Sequence, residues 1–201
     1  ARQVRAGAQA GTDLILIETI GDLYEAKAAI LAAKENSHLP VICTMTFEQS
    51  GRTLMGADPK TAVVVLEGLG VDALGVNCSL GPEELLPIVK QILSYAAVPV
   101  LVQPNAGLPE MVNGQVVYPM KPELFERYAS VMVQLGVRMI GGCCGTTPDF
   151  IRAVRKAVNR LAPVYTSVDR TAAVASGSRT VVLDQGVRII GGRINARHNE
   201  D

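Results

Sequence analysis

Val137-Arg138-Met139-Ile140-Gly141-Gly142-Cys143-Cys144-Gly145-Thr146-Thr147-Pro148-Asp149 reads as an apolar strand, a glycine-rich turn bearing two adjacent cysteines, and the start of a helix. The strand is expected over Val137 to Gly142. Thr147-Pro148-Asp149 carries the N-cap and first-turn signals of a helix running to about Leu161. The same strand–turn–helix pattern recurs upstream. Leu14 to Glu18 is an apolar run ending in an acid, and Asp22 opens the next helix with Glu25 three residues on, a capping-box-like pair. Val41 to Met45 precedes Asp58-Pro59, Ala73 to Asn77 precedes Pro82, and Val98 to Gln103 precedes Pro122. Residues 1 to 10 read as the last turns of an earlier helix.

An internal repeat orders these units. Ala10-Gly11-Thr12-Asp13, Leu69-Gly70-Val71-Asp72 and Leu135-Gly136-Val137-Arg138 each end a helix with glycine and open a strand. The glycines at 11, 70 and 136 are 59 and 66 residues apart, two βα units each time. A (β/α)8 barrel fits best, because chemistry-bearing residues end several different strands. A doubly wound sheet is the rival. Five strands are counted, so only about the last five βα units are expected here, with three further units upstream.

Composition agrees with an α/β core. Of 201 residues 48% are hydrophobic and 4% aromatic, so Val, Ile, Leu and Ala must fill it. Lys plus Arg balance Asp plus Glu at 19 each, which gives no basic surface for nucleic acid or membrane lipid. No apolar run is long enough to cross a bilayer. Ala1-Arg2-Gln3-Val4-Arg5 has no apolar core of a signal peptide and no Met, so residue 1 is not expected to be the true N-terminus. Four cysteines without a targeting signal point to a reducing, cytoplasmic setting, where thiols serve metals or catalysis.

Cys78 ends the strand Ala73 to Asn77, and Cys143-Cys144 end the strand Val137 to Gly142. In a barrel all strand C-termini open on one face, so the three sulfurs can converge. Gly141, Gly142 and Gly145 allow the sharp bend that turns both adjacent cysteines inward. Three thiolates with an open fourth position describe a catalytic zinc site. Such a metal carries net negative charge, is a poor Lewis acid, and leaves a fourth sulfur ionised and nucleophilic. The alternatives are buried apolar cysteines, the expected state of Cys43 inside its strand, or a disulfide from Cys78. His38 and His198 read as surface residues, and the six methionines as core or loop filler.

Val76-Asn77-Cys78 and Gly141-Gly142-Cys143-Cys144-Gly145-Thr146-Thr147-Pro148 resemble the two zinc motifs of the homocysteine S-methyltransferase family. Gln103-Pro104-Asn105-Ala106-Gly107 resembles its segment after the seventh strand, and Thr44-Met45-Thr46-Phe47 its fifth-strand end. The resemblance covers about residues 1 to 160. It implies a barrel whose zinc, on Cys78, Cys143 and Cys144, takes the homocysteine thiolate as fourth ligand. Leu16-Ile17-Glu18-Thr19 resembles the segment whose acid holds the substrate ammonium, which gives Glu18 that role; a capping acid near Asp22 is the alternative. The stretch Gln115 to Met120 is expected within a long loop over the active face.

After Leu161 the composition shifts to Thr, Ser, Ala and Val without helical periodicity, as in a linker. Arg188-Ile189-Ile190-Gly191-Gly192-Arg193-Ile194-Asn195 is similar to the opening strand of the folate-binding domain in the cobalamin-dependent branch of the family, with Gly192 where that branch carries an acid. The expected organisation is therefore 1–161, the C-terminal part of a homocysteine-binding barrel; 162–186, a linker; and 187–201, the start of a pterin-binding domain. The resemblance implies methyl transfer to homocysteine, giving methionine, from methylcobalamin on another domain of the parent chain, recharged from methyltetrahydrofolate on a third. The alternatives are another donor, betaine or S-methylmethionine, or a zinc-binding or redox fragment without turnover.

Overall fold

Each strand–helix pair expected from the sequence is present in the computed structural model, which describes residues 1–165, 168, 172–184 and 186–187. Helix α1 (Arg2–Gln9) leads into β1 (Ile15–Ile20), α2 (Leu23–Asn36), β2 (Val41–Met45) and α3 (Pro59–Gly68). Then come β3 (Ala73–Asn77), α4 (Pro82–Leu93), β4 (Val100–Gln103), a hairpin of β5 (Glu110–Val112) and β6 (Gln115–Val117), and α5 (Pro122–Gln134). Strand β7 (Met139–Ile140), α6 (Pro148–Val158) and a second hairpin, β8 (Ala173–Ala175) and β9 (Thr180–Val182), complete the described elements. No described helix is long and apolar enough to cross a membrane.

Five strands form one parallel sheet in the order β1-β2-β3-β4-β7. That order follows the chain without reversal. A doubly wound sheet requires a switch point where the order reverses, so the arrangement is an arc of a (β/α) barrel, with five βα units. The repeat glycines Gly11, Gly70 and Gly136 have φ of 84°, 74° and 115°, the left-handed helix ends the repeat called for. Asp22 caps α2 by accepting from Tyr24 N at 2.9 Å, and Asp58 caps α3 by accepting from Thr61 N at 2.8 Å.

Strands β2 and β3 are buried at every position, as expected of parallel strands covered on both faces. Ile30 of α2, Leu66 of α3, Leu85 of α4 and Met132 of α5 pack with Val41, Met45, Leu74 and Val76 in the main core. Burying each such side chain is worth roughly 1.5–3 kcal/mol. The edges differ: β1 alternates between partly and fully exposed residues until Ile20, and β7 is half-buried.

Several boundaries depart from the sequence reading. Strand β7 spans two residues rather than six: after Gly141, whose N–H still donates to Val102 O at 3.0 Å, the chain turns through Gly142 into the cysteine pair. Strand β1 starts one residue later and ends two later than expected, with a register irregularity between Ile17 and Ile20. Thr147 sits at the N-cap of α6, but its side chain makes no capping bond. Within the expected linker, β8 and β9 pair and rest on α3, where Thr180 Oγ1 lies 3.0 Å from Thr61 Oγ1. Beyond Val187, the expected pterin-domain strand lies outside the described residues.

Candidate metal centre

The C-terminal ends of β3 and β7 bring Cys78, Cys143 and Cys144 together. Their three sulfurs lie within 4.8 Å of one another. Cys78 Sγ is 3.6 Å from Cys144 Sγ, and Cys143 Sγ is 4.0 Å from Cys144 Sγ. Tetrahedral bonds of about 2.3 Å would place ligand sulfurs about 3.8 Å apart, so the spacing fits one shared metal ion.

Two backbone devices create this convergence. Cys78 and Ser79 both adopt left-handed torsions, φ 63° and 61°, which swing Cys78 off the line of β3. Such torsions in a non-glycine residue cost about 1–3 kcal/mol each and persist where surrounding bonds over-determine them. Here Cys78 N donates to Gln103 O at 3.1 Å, and Leu80 N to Cys78 O at 2.7 Å. The second device is the segment after β4, which grips the double-cysteine turn. Cys143 N donates to Pro104 O at 2.8 Å, and Ala106 N to Cys144 O at 2.8 Å. Cys144 N donates to Asn105 Oδ1 at 3.0 Å, and Thr146 Oγ1 to Cys143 O at 2.7 Å.

Burial first, then hydrogen bonding and charge repulsion from Cys78 and the charge of Cys144, push the Cys143 thiol up to about 12, against a smaller lowering by Asn77. A cation shared by the sulfurs would favour the ionised form of Cys143. Cys43 sits apart, fully buried within β2, and burial alone raises its thiol to about 12. It is a core residue, as expected. His38 is exposed.

Asn77 lies fully buried beneath the sulfurs. Its Oδ1 accepts from Thr19 N at 2.8 Å and Thr44 Oγ1 at 2.6 Å. Its Nδ2 donates to Thr19 Oγ1 at 2.7 Å and faces Cys143 Sγ at 3.8 Å. Glu18 lies in the irregular stretch of β1, exposed, next to Thr19 with φ 64°. The arc thus places Glu18 at the same C-terminal end of the sheet as the cysteines.

Tyr118, within the Gln115 to Met120 stretch expected over the active face but not singled out there, closes one side. A Cβ at Gly145 would come within 2.3 Å of Tyr118 Cγ, so the glycine turn and the ring are in direct contact. Burial, a hydrogen bond with Cys144 and the charges of the three cysteines all raise the Tyr118 hydroxyl pKa. The β5–β6 hairpin delivers this residue. A readable signal was present: Asn113-Gly114, with φ 50° and 76°, is the turn pair for a two-residue hairpin loop, flanked by Met111-Val112 and Val116-Val117.

A parallel barrel arc with three thiols gathered at its strand ends defines the class: a barrel domain with a three-cysteine centre. The chain belongs to the homocysteine S-methyltransferase family, whose profile matches residues 1–158. It is 41% identical over 156 residues to methionine synthase of Mycobacterium leprae (strain TN), covering 75% of this chain and 13% of that protein. It is 38% identical over 194 residues to methionine synthase of Mycobacterium tuberculosis (strain ATCC 25618 / H37Rv), covering 92% of this chain. The chain spans about a sixth of the length of that relative, 16%. Among solved structures it is similar to the homocysteine methyltransferase MmuM from Escherichia coli. The apo form matches with TM-score 0.64 and 27% identity over 77% of this chain and 54% of that one. The metallated form matches with TM-score 0.63 and 26% identity over 77% of this chain and 48% of that one.

Proposed function

We propose that this domain binds homocysteine and presents its sulfur for methylation to methionine, with Cys78, Cys143 and Cys144 as the protein's ligands to one zinc ion. The observation that carries this reading is the spacing of the three sulfurs, all within 4.8 Å, in a chain of this family. A zinc ion there would supply the charge that keeps the substrate thiol ionised near neutral pH, and its three thiolate donors would leave that sulfur electron-rich. Cys78 and Cys144, the closer pair, form one side of the ligand set, and Cys143 beside Asn77 forms its floor. Glu18 pairs with the substrate ammonium and so orients the amino acid. In the transfer the sulfur takes the methyl group, the donor keeps the bonding pair, and the thiol proton has already left to solvent.

The methyl donor is methylcobalamin on another domain of a longer parent chain, remethylated from methyltetrahydrofolate. The likeness to mycobacterial methionine synthases supports this, since the match to the Mycobacterium tuberculosis protein extends past residue 158, where the family match ends. The tail from residue 187 is then the start of the pterin-binding domain, 162–186 joins it to the barrel, and the protein works in the cytoplasm.

X-ray absorption on the full-length parent protein tests the centre. The expected result is one zinc with three sulfur ligands and one light-atom ligand, the latter replaced by sulfur on adding homocysteine. Fewer than three sulfurs before substrate would overturn the assignment. Cys78→Ser should lower zinc content, and Cys43→Ser should not.

A further inference from the structure

The geometry points to Asn77 as a positioning residue that ties the substrate-binding end of the site to the metal-binding end. The inference rests on the proposed roles of Glu18 and the three cysteines. An asparagine side chain offers two acceptor lone pairs and two N–H donors. All four are engaged here. Thr19 N can only donate, so the atom 2.8 Å from it must be the amide oxygen, which fixes the orientation of the side chain. Thr44 Oγ1 supplies the second bond to that oxygen. The amide nitrogen then necessarily faces Thr19 Oγ1 and Cys143 Sγ. One fully buried side chain therefore links the ends of β1, β2 and β3 to a cysteine on the β7 turn.

The Thr19 bonds have a specific consequence. Threonine is β-branched, and φ 64° is an outlier for it. Asn77 holds both the backbone N–H and the hydroxyl of this residue, so it can keep the backbone in that conformation. The irregularity lies between Ile17 and Ile20, and irregularities of this kind re-aim side chains next to functional sites. The re-aimed neighbour is Glu18. The remaining N–H draws charge from Cys143 sulfur. Asn77 therefore sets both the direction of the carboxylate and the electron density of one metal ligand.

The test uses the full-length parent protein loaded with cobalt(II), whose thiolate-to-metal absorption bands report donor strength. Asn77→Asp keeps an acceptor for Thr19 N and Thr44 Oγ1 but replaces the N–H donors with oxygen. It should shift the charge-transfer bands while three sulfurs stay bound. Thr19→Val removes the hydroxyl arm but keeps the β-branched strain at φ 64°, so the backbone can relax and turn Glu18 away. It should weaken homocysteine binding about tenfold or more, the loss expected when a charge-assisted pair is misaimed, with bands and metal content unchanged. If Asn77→Asp leaves the bands unmoved and Thr19→Val leaves homocysteine affinity unmoved, with only thermal stability lowered, Asn77 is structural and the proposal is overturned. Loss of cobalt from Cys78→Ser in the same series would show that the metal reading survives that outcome. Full cobalt retention there would instead sink the reading of the site itself.

Discussion

At the residue scale, Glu18 and the cysteines stand on different footing. The sulfurs already lie within bonding distance of a common point. Glu18 is exposed, and its role depends on the substrate's ammonium reaching it. In the full-length enzyme Glu18→Ala should raise KM for homocysteine while zinc content stays intact. A charge-assisted hydrogen bond of about 1.5–3 kcal/mol corresponds to roughly ten- to a hundredfold in affinity. Steady-state kinetics with metal analysis on the same samples decides this, and an unchanged KM would place the ammonium elsewhere. The cysteines were legible because thiols at the C-terminal ends of separate strands have few other uses. Asn77 and Thr19 were not. Their significance lies in bonds between residues 58 apart and in a positive φ that a threonine in a strand does nothing to announce.

At the element scale, the turn after β7 and the β5–β6 hairpin form one unit through the contact of Gly145 with Tyr118. Gly145 also has φ 77°, where a side chain is strained whatever space surrounds it. Gly145→Ala must therefore meet two penalties: about 1–3 kcal/mol for the torsion and displacement of the Tyr118 ring. The expected outcome is a lower zinc affinity, measured by competition with a chelating dye, together with a stability loss of more than 1 kcal/mol. Gly114→Ala, whose Cβ meets nothing within 4 Å, should show the torsional penalty alone and leave zinc affinity unaltered. The positions of the sheet strands and large helices were readable from apolar runs, capping residues and helix-start prolines. Their ends were harder. The short β7 reflects glycines chosen for the turn rather than the strand, and the β8–β9 hairpin depends on a surface of α3 that local sequence cannot reveal.

At the scale of the whole molecule, the sheet formed by the described residues is an arc with two edges, β1 and β7. A closed barrel removes such edges by pairing its last strand with its first. Leu14 and Leu16 at the β1 edge are 43% and 38% exposed, the kind of apolar edge that recruits another chain. Residues 1–201 expressed alone should therefore self-associate and fail to methylate homocysteine with methylcobalamin, while the full-length frame is active. Light scattering and a methionine assay on the two proteins side by side check this. A monomeric fragment with comparable turnover would refute the open-arc reading. The βα units were readable from the repeat and the barrel from chemistry-bearing residues at the ends of several strands, and the unreversed strand order removes the doubly wound alternative.

The seat of Tyr118 against Cys144 also gives this domain an optical handle. The chain contains five tyrosines and no tryptophan, so its intrinsic ultraviolet emission is a tyrosine signal. One of those emitters touches the sulfur cluster and shares its electrostatics. Filling or emptying the centre would change the charge beside that ring, so a change in the domain's own tyrosine emission on adding metal is the expected sign that the proposed site is occupied.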